Sequence, residues 1–334
     1  MNNPLVKRAP TKVYQPIRQW QTMSICNNLY TLTGYSRAAD RTMLYIPQLK
    51  LCLDAGDGRG RQPKYVFVTH THKDHCFDIG NMSMKPGTRF FMPESVVDVA
   101  QRFIAAEWDM NTGIMGLHAQ LGLDKEYVIT PAVDGNMHMV TDNIQVRVFK
   151  CDHRVPCVGY AFSQLRQKLK HEYIGLPGKE IVKLKQEGII VTEAISQPLF
   201  AYCGDTTTKV FDDNPWLFDY PTIITECTYI YDNESTTGFD DKPECGTVDE
   251  AESADTNSNL TPLQKLAIKY KHVHWLDLAP IIASHPNVKF ILTHFSLRYR
   301  EDEIYNFFEQ EATKANLDNV TLFVCPYSEG RTDG

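Results

Sequence analysis

The chain has 334 residues, a formal charge of −7 and an ordinary balance of apolar and charged side chains, which predicts a folded protein of one large or two average domains. No apolar run approaches the roughly 18 residues of a membrane-spanning helix, and the N-terminus has no secretory apolar stretch. Nine cysteines, an odd number without a C-x-x-C pair, argue against a disulfide framework and for free thiols in an intracellular, cytoplasmic or nuclear setting.

The first 39 residues carry no acid but hold Lys7, Arg8, Lys12, Arg18 and Arg37. Residues 1–20 are expected to be an N-terminal extension, with an organellar transit segment as the alternative. A single domain over 21–330 is expected to follow. Residues 22–34 and 43–55 read as strands, the second running into Asp54-Ala-Gly56-Asp57-Gly58, the composition of a tight loop near a site.

The apolar run Tyr65–Thr69 then leads directly into His70-Thr-His72-Lys-Asp74-His75. Four metal-competent side chains within so short a stretch suit zinc, manganese or non-haem iron. Alternation along an extended chain lets His70 and His72 point together, and a turn can send Asp74 and His75 toward a second centre. A hydrolytic dinuclear metal site is the leading reading.

Residues 92–106 have helical spacing after Pro93. Strand-like runs recur at 144–150, 158–162, 199–203, 222–226, 288–293 and 320–325, and helical patterns at 164–171, 178–187, 262–284 and 301–315. Three of those strands end in further candidates: Cys151-Asp152-His153, Gly204-Asp205-Thr206, and His294-Phe295-Ser296-Leu297-Arg298-Tyr299. Residues 231–256 hold nine acids against Lys242, so the remainder is close to neutral and a polyanionic partner is permitted. The stretch 232–259 is expected to be a disordered surface insertion.

The His-x-His-x-Asp-His cluster, Gly204-Asp205-Thr206 and Thr293-His294-Phe295-Ser296-x-Arg298-Tyr299 resemble the metallo-β-lactamase superfamily and, within it, ribonuclease Z, the tRNA 3′-processing endonuclease. Lys168–Lys179 and Glu226-Cys-Thr228, followed at a distance by His272-Val-His274, resemble its short, plant-like form. The resemblance spans roughly residues 22 to 300.

It implies an α/β fold, the αββα sandwich of two mixed sheets flanked by helices. It implies two zinc ions per chain, one held by His70, His72 and His153, the other by Asp74, His75 and His294, with Asp205 bridging and Asp54 orienting a ligand loop. It implies a homodimer acting on precursor tRNA, in which Glu226 with His272 forms a Glu–His pair beside the leaving group; by its chemistry Asp74 could take the remaining proton of the nucleophile. His274 is the reserve for that role.

Cleavage would be attack of a metal-activated hydroxide on a phosphodiester while a 3′-oxygen leaves. Ser296 and Arg298 are candidates to bind a phosphate oxygen or, equally, to close a structural turn. The run Arg166–Lys185 holds six Lys/Arg, including Lys168 and Lys170. Within an arm at 164–190 these would grip tRNA phosphates; the alternative is a solvated helix pair. The competing function is a small-molecule phosphodiesterase or arylsulfatase on the same scaffold, and a non-catalytic RNA-binding protein is disfavoured because every ligand position is filled.

Overall fold

The computed structural model describes residues 18–122, 127–231, 259–315 and 317–327. The expected N-terminal extension and the acidic insertion lie almost wholly outside the described residues.

Strands β1 (Gln21–Ile25), β2 (Tyr30–Arg37), β3 (Arg41–Ile46) and β4 (Leu51–Leu53) form an antiparallel meander, to which β5 (Tyr65–Phe67), β6 (Thr88–Pro93) and β7 (Tyr127–Ala132) add in parallel. Helices α1 (Lys73–Cys76), α2 (Ile79–Ser83), α3 (Val97–Thr112) and α4 (Leu117–Gln120) connect the parallel strands. The second sheet repeats the plan. Strands β8 (Met137–Met139), β9 (Ile144–Lys150), β10 (Val158–Leu169) and β11 (Thr192–Tyr202) are antiparallel, and β12 (Thr222–Glu226), β13 (Lys289–Thr293) and β14 (Val320–Leu322) continue in parallel. Its helices are α5 (Gly178–Gln186), α6 (Lys209–Asp213), α7 (Pro262–Tyr270), α8 (Trp275–Ser284) and α9 (Glu301–Ala315).

Parallel strands need both faces covered, and the side-chain alternation shows how this is done. Ile224 and Ile291 point between the sheets, together with Phe67, Phe91, Tyr160 and Phe162. Their neighbours Ile223, Phe290 and Leu292 point outward, onto Trp275, Leu278 and Phe308 of the C-terminal helices. On the other side Val66, Phe90 and Met92 pack against Ile79, Ala100 and Ile104. Three apolar layers between four structural layers make the expected αββα sandwich of two mixed sheets.

Several elements differ from the sequence expectation. The 22–34 run is a hairpin of two strands, and 43–55 is two strands joined through a short turn that ends in left-handed Lys50. Most of the expected helix at 164–171 is the end of β10, paired residue by residue with β11 from Gln164↔Gln197 to Leu169↔Thr192, and a 3-10 turn begins at His171. The 262–284 pattern is two helices, broken at Lys271, whose φ of +53° ends α7. The 92–106 pattern begins as strand, and its helix runs from Val97 to Thr112.

Candidate metal centre

One rim of the sandwich collects the chemistry. β4 leads to Asp54, β5 to His70–His75, β9 to His153, β11 to Asp205, β12 to Glu226 and β13 to His294. Side-by-side strand ends bring together residues far apart in sequence, as in open α/β sheets generally. Two close approaches need glycine. A Cβ on Gly56 would lie 1.8 Å from the Asp74 carbonyl oxygen, and one on Gly204, at φ +61°, 2.7 Å from Thr69 Cγ2.

Two clusters result. His70 Nε2 and His153 Nε2 each stand 3.1 Å from His72 Nδ1. His75 Nε2 lies 3.2 Å from His294 Nε2, and Asp74 Oδ2 lies 3.4 and 3.5 Å from those two nitrogens. Asp205 sits between them, its Oδ2 at 3.8 Å from His70 Nε2 and 3.3 Å from His75 Nε2. Each triad, His70–His72–His153 and Asp74–His75–His294, has its donor atoms within 4.8 Å of one another.

The far side of four of the five rings is committed. His75 Nδ1 donates to Asp54 Oδ2 at 2.8 Å, and Asp54 also accepts from Tyr202 Oη at 2.6 Å and Thr69 N at 2.7 Å. His153 Nδ1 donates to the Lys271 carbonyl at 3.0 Å. His70 Nδ1 meets Thr69 Oγ1 at 3.0 Å, and His294 Nδ1 meets Thr228 Oγ1 at 3.2 Å. Fixing one imidazole nitrogen this way orients the other, with its lone pair, into the cluster. Asp54 and His294 hold left-handed φ values of +59° and +60°, a backbone cost usual where a site over-determines its residues.

The donor set fits a pair of divalent transition ions. Its nitrogens and carboxylate oxygens suit zinc. Asp74 Oδ2 and Asp205 Oδ1 are buried without a hydrogen-bond partner among the described residues, an arrangement that a bound cation would favour. Burial holds the His72 imidazole down to about 4 and His153 to about 3, and lowers His70 well below its ordinary value. These rings are therefore neutral at pH 7, the ligating form. His75 goes the other way: burial disfavours its charge, but Asp205, Asp74 and Asp54 outweigh burial and raise it well above its ordinary value. A proton there serves the same electrostatic demand that an ion would meet.

Beside the clusters stands a buried Glu–His pair. Glu226 accepts from His272 Nδ1 at 2.9 Å, from Thr206 N at 2.7 Å, from Val273 N at 3.1 Å and from the Thr228 hydroxyl. His274, the reserve, caps α8 by accepting Leu276 N at 3.1 Å on Nδ1.

No family model matches the chain. Over 314 residues it is 27% identical to the chloroplastic tRNase Z of Arabidopsis thaliana, covering 90% of this chain and 76% of that protein. A second tRNase Z of the same plant is 26% identical over 286 residues, covering 82% and 88%. The chain is a relative of the tRNase Z proteins. Among solved structures, the metallo-β-lactamase fold protein YhfI of Bacillus subtilis covers 93% of this chain and 98% of that one, at 11% identity and a TM-score of 0.48, a likeness too loose to bear on chemistry.

The segments that resemble tRNase Z fall in different places. Lys168 and Lys170 are far from the clusters, on a ribbon in which β10 and β11 extend beyond Gln164, the last residue paired with β9. The ribbon carries α5, none of whose residues is buried. Ser296 is in the turn after His294, where its Oγ accepts Arg298 N at 3.3 Å. Thr206, Thr228, Tyr202 and the Lys271 carbonyl brace the site without having been assigned a role from sequence. Thr206 and Thr228 lie inside the Gly204-Asp205-Thr206 and Glu226-Cys-Thr228 motifs; Tyr202 and a main-chain carbonyl leave no sequence signal.

Proposed function

We propose that this protein is a metal-dependent endoribonuclease that removes the 3′ trailer of precursor tRNA. The observation that carries the reading is the conjunction of two His/Asp clusters sharing Asp205 with a separate Glu226–His272 pair, in a chain related to tRNase Z over most of its length. His70, His72 and His153 would hold one zinc ion, Asp74, His75 and His294 another, and Asp205 both. When bound, the ions supply Lewis acidity at the phosphoryl group and a water of lowered pKa. Asp74, buried at the cluster, accepts the proton of the attacking water. Glu226, fixed by main-chain donors, holds His272 Nδ1 and directs the opposite nitrogen to protonate the departing 3′-oxygen.

The Lys/Arg-bearing ribbon 164–190 is assigned to the tRNA body, and a homodimer is assigned to let one subunit's ribbon serve the other's site. Ser296 and Arg298 are assigned to the phosphate. The eight described cysteines are free, which supports action in a reducing compartment.

The test is to incubate zinc-loaded protein with a precursor tRNA carrying a 3′ trailer and to map the cut. A single cut at the start of the trailer is expected. An intact RNA alongside rapid hydrolysis of a small phosphodiester would replace this reading with the small-molecule hydrolase.

A further inference from the structure

Arg37, at the end of β2, is among the largest fully buried side chains, at 2% exposure. Its guanidinium gathers four main-chain carbonyls: Nε donates to Phe295 O at 3.0 Å, Nη2 to Ser296 O at 2.8 Å and Tyr299 O at 2.6 Å, and Nη1 to Cys325 O at 3.2 Å. Three of these belong to the turn that begins one residue after His294. We propose that Arg37 is a positioning residue for the Asp74–His75–His294 triad, holding His294 in place by pinning the turn that follows it.

The geometry makes this role selective. Asp74 and His75 follow a strand of the first sheet and His294 follows one of the second, so the triad closes only if the two sheets are held in register at this corner. Arg37 and the bond from Ala38 N to Phe295 O at 3.2 Å tie the end of β2 directly to the turn after His294, beside the Cys325 thiol on the Gly34 carbonyl at 3.8 Å. His294 itself is left-handed, at φ +60°, a conformation that a non-glycine residue leaves readily unless its neighbours are fixed. The other triad is closed elsewhere, by Val158 N donating to Thr69 O at 3.0 Å and by His153 on the Lys271 carbonyl, and Arg37 touches neither. A planar fork can serve several carbonyls at once, whereas a lysine ammonium of similar charge is a point donor on a flexible stem.

This inference rests on the metal reading above. The test compares wild type with Arg37→Lys, which keeps the charge, and Arg37→Gln, which loses it, by zinc titration against a chelator and by the visible absorption of the cobalt(II)-substituted proteins. Expected are two ions in wild type. Each variant should hold one ion at wild-type affinity and the second weakened by about 10- to 100-fold, with the cobalt spectrum of one site alone altered. Equal affinities in variant and wild type would overturn the inference, as would equal weakening of both sites. Failure of both variants to fold would also overturn it, since Arg37 would then govern the fold and not one ligand. A wild-type protein binding fewer than two ions would remove the metal reading itself, and the inference with it.

Discussion

At the scale of single residues, Glu226 shows how much of this site is support. Its carboxylate accepts from Thr206 N, Val273 N, the Thr228 hydroxyl and His272 Nδ1, so it cannot rotate away from the histidine. Thr228 in turn meets His294 Nδ1, which links the Glu–His pair to a proposed ligand. A ring held this way is suited to deliver a proton, and a proton matters most when the leaving group is a poor one. His272→Ala is therefore expected to slow RNA cleavage by about 10²–10⁴-fold with zinc content near normal. Its loss on a nitrophenyl phosphodiester should be much smaller, because nitrophenolate departs without help. His274→Ala, which removes a helix cap, should cost about 1 kcal/mol of stability and little rate. A fully active His272→Ala with an inactive His274→Ala would reverse the two assignments. The sequence offered both histidines and could not choose, since the choice depends on which one faces a carboxylate 46 residues away.

At the scale of elements, the ribbon formed by β10 and β11 is the part least legible beforehand. Residues 164–171 are mostly polar and carry no β-branched side chain, a composition that favours helix, yet Gln164–Leu169 is strand because β11 pairs with it. The helix at the tip, Gly178–Gln186, was visible from its own spacing. Most side chains out here are exposed, so the proposed grip on RNA would be carried by charge. Replacing Lys168, Lys170, Lys183 and Lys185 with Ala should weaken binding of precursor tRNA. It should also flatten the dependence of log affinity on log salt by about 0.7–0.9 per lost phosphate contact. Turnover of a small phosphodiester should stay at the wild-type level. An unchanged salt slope, measured by binding titrations across a range of potassium chloride concentrations, would leave the ribbon as scaffold.

At the scale of the whole molecule, stability and site share the same rim. Burial lowers His72 to about 4 and His153 to about 3 and lowers His70 as well. Each then binds a proton in the unfolded chain near pH 6.5 and refuses it in the folded one until the pH is far lower. Their contribution is present above pH 6.5 and is lost as the pH falls through that window. His75, raised by its three carboxylates once they outweigh burial, acts in the opposite sense, with stability present below pH 6.5 and declining above it. Below pH 6.5 His75 is charged in both states and adds no slope, so the metal-free protein should show a melting temperature that falls steadily from pH 6.5 to about pH 4. A melting curve that is flat or rises over that range would mean that the histidines take up protons in the folded protein.

Two kinds of information met in this protein. The sequence by itself determined which residues have the chemistry and where they stand on their elements. His70, His72, Asp74 and His75 follow one apolar run, while His153, Asp205 and His294 each follow another, because a strand and the loop after it are written in adjacent residues. The pairing of the two sheets, the side of each imidazole that faces the cluster, the pairing of Glu226 with His272 and the anchoring of the His294 turn by Arg37 were decided only by the tertiary structure. His75 and His294 are 219 residues apart and meet at 3.2 Å, and Arg37 reaches carbonyls more than 250 residues away. No local pattern encodes such contacts: they follow from strand order and sheet packing, which the chain settles as a whole.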